Sequence, residues 1–262
     1  LDKMAAGPRP LLSIHMLLDF GLYSVVFRPP LPGAQAEPPA ALDESLAAAA
    51  TEQVLRLLDG PLASPLPEPL AGIGADPQLR RLLVLAAYLY PMHGLTVSDG
   101  KRTAPMVYVA VRDGLKLNKH EGEAVAALHE LAPRISQLAL QCCSDASPSR
   151  KTLGLLVREA GARWAPATLF AAAVAALQTG DVDAAVRTHA AFVRVVAENG
   201  VADAFALKHL VDGRDVARIL GIKAGPLVRP VLDRVMEWQL DHPQGTRAEC
   251  EEFIRNNSET LE

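Results

Sequence analysis

The side chains able to do chemistry are dispersed along this chain instead of being gathered into a motif. Cys142 and Cys143 are adjacent and Cys250 is remote, which gives neither a zinc spacing nor an even disulfide set. With no His, Asp or Glu at ligand spacing around them, they read as free thiols of a reducing compartment. The histidines at 15, 93, 120, 129, 189, 209 and 242 flank no serine or cysteine in a nucleophile motif, so capping and surface roles are expected for them. Gly72-Ile73-Gly74 is too short for a phosphate-cradling loop and follows no strand. Asp43-Glu44 and Glu251-Glu252 are paired carboxylates expected on solvated helix surfaces. No catalytic residue, metal site or cofactor site is therefore assigned to this sequence.

The basic residues near the C-terminus are more suggestive. Residues 205–235 hold Lys208, Arg214, Arg218, Lys223, Arg229 and Arg234 against Asp212, Asp215 and Asp233. The chain as a whole carries a net charge of -4, so any nucleic-acid binding must use this local patch. Arg214 and Arg218 are four apart and share a helix face. Lys223 precedes a helix whose free N–H groups can receive a phosphate oxygen. Two readings fit these charges: a phosphate-backbone contact, or a solvated helix face.

The elements that must position these residues are helices. Half the residues are hydrophobic but only 5% are aromatic, and Ala, Leu and Val dominate, which predicts an all-α fold. Periodicity and caps predict helices over 10–20 closed by Gly21, 43–58 stopped by Asp59-Gly60-Pro61, 77–90 ended by Pro91, and 105–114. Further helices are expected over 118–131 with an Asn118/Glu121 capping box, 149–161, 166–178 and 181–199. Prolines 29, 30, 32, 38 and 39 mark 28–41 as a connection; 61–74 is a second loop, and 91–104, with His93, Lys101 and Arg102, an insertion over the helical core. The apolar tract 165–178 is too short to span a bilayer and reads as a buried helix, and no secretory signal opens the chain, so no membrane partner is expected. In the last sixty residues, Gly213-Arg214-Asp215 opens a short helix and Gly221 closes it. Gly225-Pro226 opens the next, which Pro230 should bend, and Thr246 with Glu249 caps the last.

Three segments, in order, resemble one family. "LVDGRDVARILGIKAGPLVRPVLDRVMEWQLDHPQGTRAECEEFIR", residues 210–255, resembles the tail of eukaryotic class II CCA-adding tRNA nucleotidyltransferases. "LDKMAAGPRPLLSIHMLLDFGLYSVVF", residues 1–27, looks like the end of that family's neck, and "VRDGLKLNKHE", residues 111–121, is similar to a segment of its body. The resemblance implies an elongated helical assembly: a neck end over 1–30, a helical body over 31–200 and a tail over 201–262 that contacts the tRNA elbow. It implies that the two carboxylates for Mg²⁺ and the residues that template CTP or ATP belong to a head whose motifs do not occur here. The expected role is to grip the acceptor arm and elbow of tRNA, inside the cell, with nucleus, cytoplasm and organelle undistinguished. The alternatives are a non-catalytic helical scaffold for a protein partner and, on the 221–226 turn, a helix-turn-helix DNA binder.

Overall fold

The computed structural model describes residues 2–29, 42–98, 103–144, 147–223 and 225–257. Most of the proline-rich connection at 28–41, the pair Lys101 and Arg102, and Ala224 of the 221–226 turn lie outside the described residues. The helices in chain order are α1 (Asp2–Ala5), α2 (Pro10–Asp19), α3 (Tyr23–Phe27), α4 (Ser45–Asp59), α5 (Pro77–Tyr88), α6 (Met106–Val109) and α7 (Lys119–Cys142). They continue with α8 (Arg150–Ala160), α9 (Trp164–Thr179), α10 (Val182–Glu198), α11 (Gly213–Leu220), α12 (Val228–Asp241) and α13 (Arg247–Asn256). Among the described residues the fold is all-α apart from one antiparallel hairpin, β1 (Thr96–Ser98) with β2 (Thr103–Pro105). That hairpin falls where an irregular insertion was expected, and it takes Pro105 out of the helix predicted over 105–114.

The chain divides into two compact units, Leu1–Ser147 with Arg163–Val195 and Pro148–Ala162 with Val196–Glu262. In the first, α4, α5, α7 and α9 pack together and α2 packs on α4. The residues of α9 from Trp164 to Val174 are buried, as its apolar composition requires. By length and composition the run Arg150–Thr179 could cross a membrane, but 72% of its apolar window is buried within the protein, as in a core helix. Tyr23 and Tyr88 tie the first helices down through their hydroxyls, which donate to Tyr88 O at 2.7 Å and Pro10 O at 2.6 Å. A buried phenol is tolerated because its one donor is satisfied.

Two helices depart from the sequence reading through proline. α7 runs past Leu131 to Cys142 with Pro133 inside it. An interior proline costs roughly 3 kcal/mol, yet both halves bury core residues, Val125 and Leu128 before it and Ile135 and Ala139 after it. Burial of several such side chains, each worth about 1.5–3 kcal/mol, outweighs the lost hydrogen bond. Pro230 was expected to bend α12 by removing an internal hydrogen bond. The helix in fact starts at Val228, so Pro230 is its third residue, where the N–H has no helical partner and its absence costs nothing.

The second unit packs α11, α12 and α13 on one another and α8 against α12. Val211, Val216, Val228, Val231, Val235, Cys250 and Ile254 form its buried centre. Gly154 of α8 lets that helix approach α12 closely: a Cβ there would sit 2.5 Å from Leu240 Cδ2. Arg150 donates to Asn199 O at 2.8 Å and to Leu240 O, and Arg158 to Ala204 O and Leu207 O at 3.2 and 2.6 Å. These guanidinium groups bind carbonyls at the ends of helices and turns, of which Ala204 O also accepts from Leu207 N.

Candidate nucleic-acid interface

The terminal basic residues are carried on α11, α12 and the segments before them. Asp212 opens α11 with a capping box: its carboxylate accepts from Arg214 N and Asp215 N at 2.8 and 2.9 Å, while Asp215 accepts from Asp212 N at 3.1 Å. Gly221, at φ 67°, ends the helix in the left-handed conformation that glycine adopts without strain. This local chemistry turns Val216 inward and leaves Arg214 and Arg218, each two residues from it, on the opposite, exposed side.

All six predicted side chains, Lys208, Arg214, Arg218, Lys223, Arg229 and Arg234, are exposed. They are not equivalent. Arg218 lies 3.1 Å from Asp215 and 3.7 Å from Glu251, and Arg234 lies 4.0 Å from Glu237. Among the described residues, no ion pair engages Lys208, Arg214, Lys223 or Arg229. Arg229 and Arg234 are five residues apart, about 140° around the helix, so they occupy opposite flanks of α12 and one phosphate strand does not reach both.

The sequence reading did not single out the ion network between α11 and α13. Arg247 lies 2.7 Å from Asp215 and 3.3 Å from Glu251, which Arg255 also approaches at 3.2 Å. The Asp215 carboxyl is held below the usual range, first by the Asp212 N–H and then by Arg218. Arg247 and Arg255 add cations to the same pair of helices, visible in sequence only as i,i+4 partners of Glu251.

The groove of about 670 Å³ at the end of α12 is a different surface. Trp238, His242 and Phe253 stack along it, and Asp241, Glu249 and Glu252 bring carboxylates to its walls. Such walls repel phosphate, and none of the six predicted cations lines it.

Elsewhere the structure joins residues that looked dispersed. His93 and His129 face each other in the first unit with Nδ1 atoms 3.2 Å apart, and His129 Nε2 meets Ala86 O at 3.1 Å. Burial, with His93 beside it, lowers the His129 pKa to about 3. His129 is therefore a neutral core residue and not a surface one, and the same holds for His189, buried against Ala185 O and Ser136. Cys142 and Cys143 are free thiols, and burial pushes the Cys142 thiol up to about 11, away from nucleophilic use. In residues 111–121, Leu115 N and Leu117 N donate to Ala110 O and Val111 O, and Asn118 with Glu121 caps α7. That segment is a structural corner.

No family model matches the chain, and no solved structure does. Among curated proteins it is similar to the mitochondrial CCA tRNA nucleotidyltransferase of Saccharomyces cerevisiae, 24% identical over 187 residues, which are 68% of this chain and 34% of the relative. The mitochondrial CCA tRNA nucleotidyltransferase of Candida glabrata is 26% identical over 190 residues, 69% of this chain and 36% of the relative. The tRNA nucleotidyltransferase cca2 of Schizosaccharomyces pombe is 22% identical over 259 residues, 98% of this chain and 50% of the relative. The chain thus spans between a third and half of the length of these relatives. By these similarities, the chain resembles the CCA tRNA nucleotidyltransferases over 62–98% of its length.

Proposed function

We propose that this chain is the tRNA-gripping, C-terminal portion of a CCA-adding tRNA nucleotidyltransferase that works inside the cell, and that the chemistry lies outside it. The observation that carries the reading is the set of exposed cations that have no ion partner among the described residues, Lys208, Arg214, Lys223 and Arg229, within the segment that resembles the family's tail. The mitochondrial location in the names of the Saccharomyces cerevisiae and Candida glabrata relatives supports an intracellular setting.

The physics suits a tRNA elbow and acceptor arm. Folded RNA is read by shape and by phosphate and 2′-hydroxyl contacts, which need a few mobile cations and helix ends, not a base code. Lys208, Arg214 and Lys223 supply point charges. The start of α12 adds few donors, because the Val228 N–H is taken by Gly225 O and Pro230 has none. Holding the 3′ end at a remote active site removes translational and rotational freedom that would otherwise be lost at the reacting atoms.

Mg²⁺ with CTP or ATP is what the family resemblance implies for the catalytic head. Among the described residues, no three His, Cys, Asp or Glu side chains come together to hold a metal ion, so no step through that ion is assigned to these residues. The test has two arms. Fluorescence anisotropy should show the chain binding tRNA lacking its CCA end in preference to duplex DNA, with Arg214→Glu and Lys223→Glu weakening it. Incubation of the chain with that tRNA, CTP, ATP and Mg²⁺ should add no nucleotide. Preference for duplex DNA, indifference to both charge reversals, or CCA addition by the chain alone would each overturn the reading.

A further inference from the structure

The groove at the end of α12 takes no part in the contacts assigned to tRNA, yet its walls are fixed from several sides. His242 N donates to Trp238 O at 2.9 Å and His242 Nδ1 lies 2.8 Å from the same oxygen, which holds the imidazole along the indole. The two rings stack at 4.7 Å with 16° between their planes, and Phe253 from α13 continues the stack at 5.8 Å and 25°. Gly245 N closes the following turn on His242 O at 2.9 Å. A Cβ at Gly245 would sit 2.5 Å from Trp238 Cη2, so the glycine lets this turn close against the benzo end of the indole. Rings set by two helices and a tight turn form a preorganised wall to a space of about 670 Å³, within the size range of ligand sites.

Charge selects the ligand class. Asp241, Glu249 and Glu252 line the groove, and among the described residues no lysine or arginine does. Glu249 Oε2 is used by the Thr246 N–H and hydroxyl, at 2.7 and 2.8 Å. Asp241 lies 3.6 Å from Lys151, which is shared with Glu237 at 3.9 Å. Glu252 is exposed, and among the described residues no ion pair engages it. Aromatic faces are negative as well, so rings and carboxylates attract the same kind of group, a cation. A metal ion does not fit, since among the described residues no three His, Cys, Asp or Glu side chains come together to hold one. A guanidinium does, because it lies flat on a ring while its N–H fork meets a carboxylate. The amides of Gln244 and Asn256, also at the groove, both donate and accept, as do the peptide groups that flank an arginine. A protonated polyamine offers no acceptor to those amides, which favours arginine within a polypeptide.

We propose that the groove walled by Trp238, His242, Phe253 and Glu252 is a docking site for an arginine-bearing segment of a partner polypeptide. It does not depend on the tRNA reading, because none of the cations assigned to tRNA lines the groove. The second unit then carries two ligands of opposite charge, phosphate on the basic residues of α11 and α12 and a basic peptide at the acidic end of α12.

The test is NMR on the full 262-residue chain, in which Trp164 and Trp238 give the two indole N–H signals. Trp238→Phe, which keeps a ring in the stack, assigns them. The probe is the peptide Gly-Ser-Arg-Gly-Arg-Ser-Gly, and its control carries citrulline, the uncharged isostere, in place of each arginine. The expected result is a saturable shift of the Trp238 signal, with that of Trp164, which is 5% exposed, unmoved. The citrulline peptide and Glu252→Lys should each weaken binding by about tenfold or more, the scale of one charge-assisted contact with its ring partner. Glu252→Gln should weaken it less, and its circular dichroism and tRNA affinity should stay unchanged. An unmoved Trp238 signal, equal binding of the citrulline peptide, spermidine bound as tightly as the arginine peptide, or self-association of the chain that Glu252→Lys abolishes would each overturn the assignment.

Discussion

The Gln239 side chain clasps the backbone on both sides of His209: its Oε1 accepts from Leu210 N at 3.0 Å and its Nε2 donates to Lys208 O at 3.1 Å. Gln239 is 5% exposed, so both bonds are partly shielded from water. The clasp gives the Trp-Gln-Leu stretch of α12 a physical role, since it fixes the segment that delivers Lys208. Gln239→Leu leaves the part-buried Leu210 N–H and Lys208 C=O without this partner, at up to about 1–3 kcal/mol for each group left unsatisfied. The expected outcome is a thermal midpoint lowered by several degrees. Gln239→Glu, which keeps the acceptor but aims a carboxylate at Lys208 O, should do no better.

Acid should destabilise the first unit before its carboxylates titrate. The pKa of His93, His129 and His189 is lowered by burial, that of His129 to about 3. A histidine unfolded at about 6.5 and folded below that binds more protons when unfolded, so its contribution is complete above pH 6.5 and declines as pH falls toward the folded value. For His129 the decline is about 1.4 kcal/mol per pH unit below 6.5. The carboxylates whose pKa is lowered, such as Asp59 beside Arg80, act only below their ordinary range. Thermal unfolding at pH 7.5, 6.0 and 5.0 should therefore show a falling midpoint, and His129→Gln should flatten it. A midpoint constant from 7.5 to 5.0 contradicts this account.

Local chemistry was legible in the sequence and distant chemistry was not. Asn118 with Glu121, Thr246 with Glu249, and Gly221 act over three or four residues, and each stands where its spacing predicts. The extent of α7 was missed because a proline rule is local, whereas the burial of Ile135 and Ala139 that overrides it is tertiary. Pro230 was misjudged for a related reason: its effect depends on where α12 begins, and that is set by packing of Val228 and Val231. His93 and His129 are 36 residues apart, and Gln239 and Lys208 are 31 apart, so their contacts left no periodic trace. The basic candidates were readable as charges, but the partners that tie Arg218 down come from α13 as well as from α11.

Close packing of α8 on α12 should respond steeply to side-chain size at position 154. Gly154→Val places atoms where Leu240, 1% exposed, already fills the space. Overpacking of this kind costs typically 1–3 kcal/mol. Leu240→Ala alone opens a cavity and costs about 2–5 kcal/mol. Combined, the two changes should cost less than the sum of the singles, because the valine enters the volume the leucine vacates. Denaturant unfolding of the four proteins checks this, and strict additivity would show that the two side chains do not share the space.

The split within the Arg214/Arg218 pair gives the sharpest test of the basic face. Both are exposed and share one side of α11, so sequence spacing treats them alike. Among the described residues no carboxylate pairs with Arg214, whereas Arg218 is partly neutralised by Asp215 and Glu251, whose side chains are 17% and 19% exposed. A phosphate must displace those carboxylates to engage Arg218. If each cation that meets a phosphate adds about 0.7–0.9 to the slope of log affinity against log salt, Arg214→Ala should lower the slope by about that amount. Arg218→Ala should lower it by less than half as much, with a stability change under about 1 kcal/mol because Arg218 itself is exposed and Arg247 stays beside both carboxylates. Titrations with tRNA at several salt concentrations measure both slopes, and equal changes would mean that the ion network opens on binding.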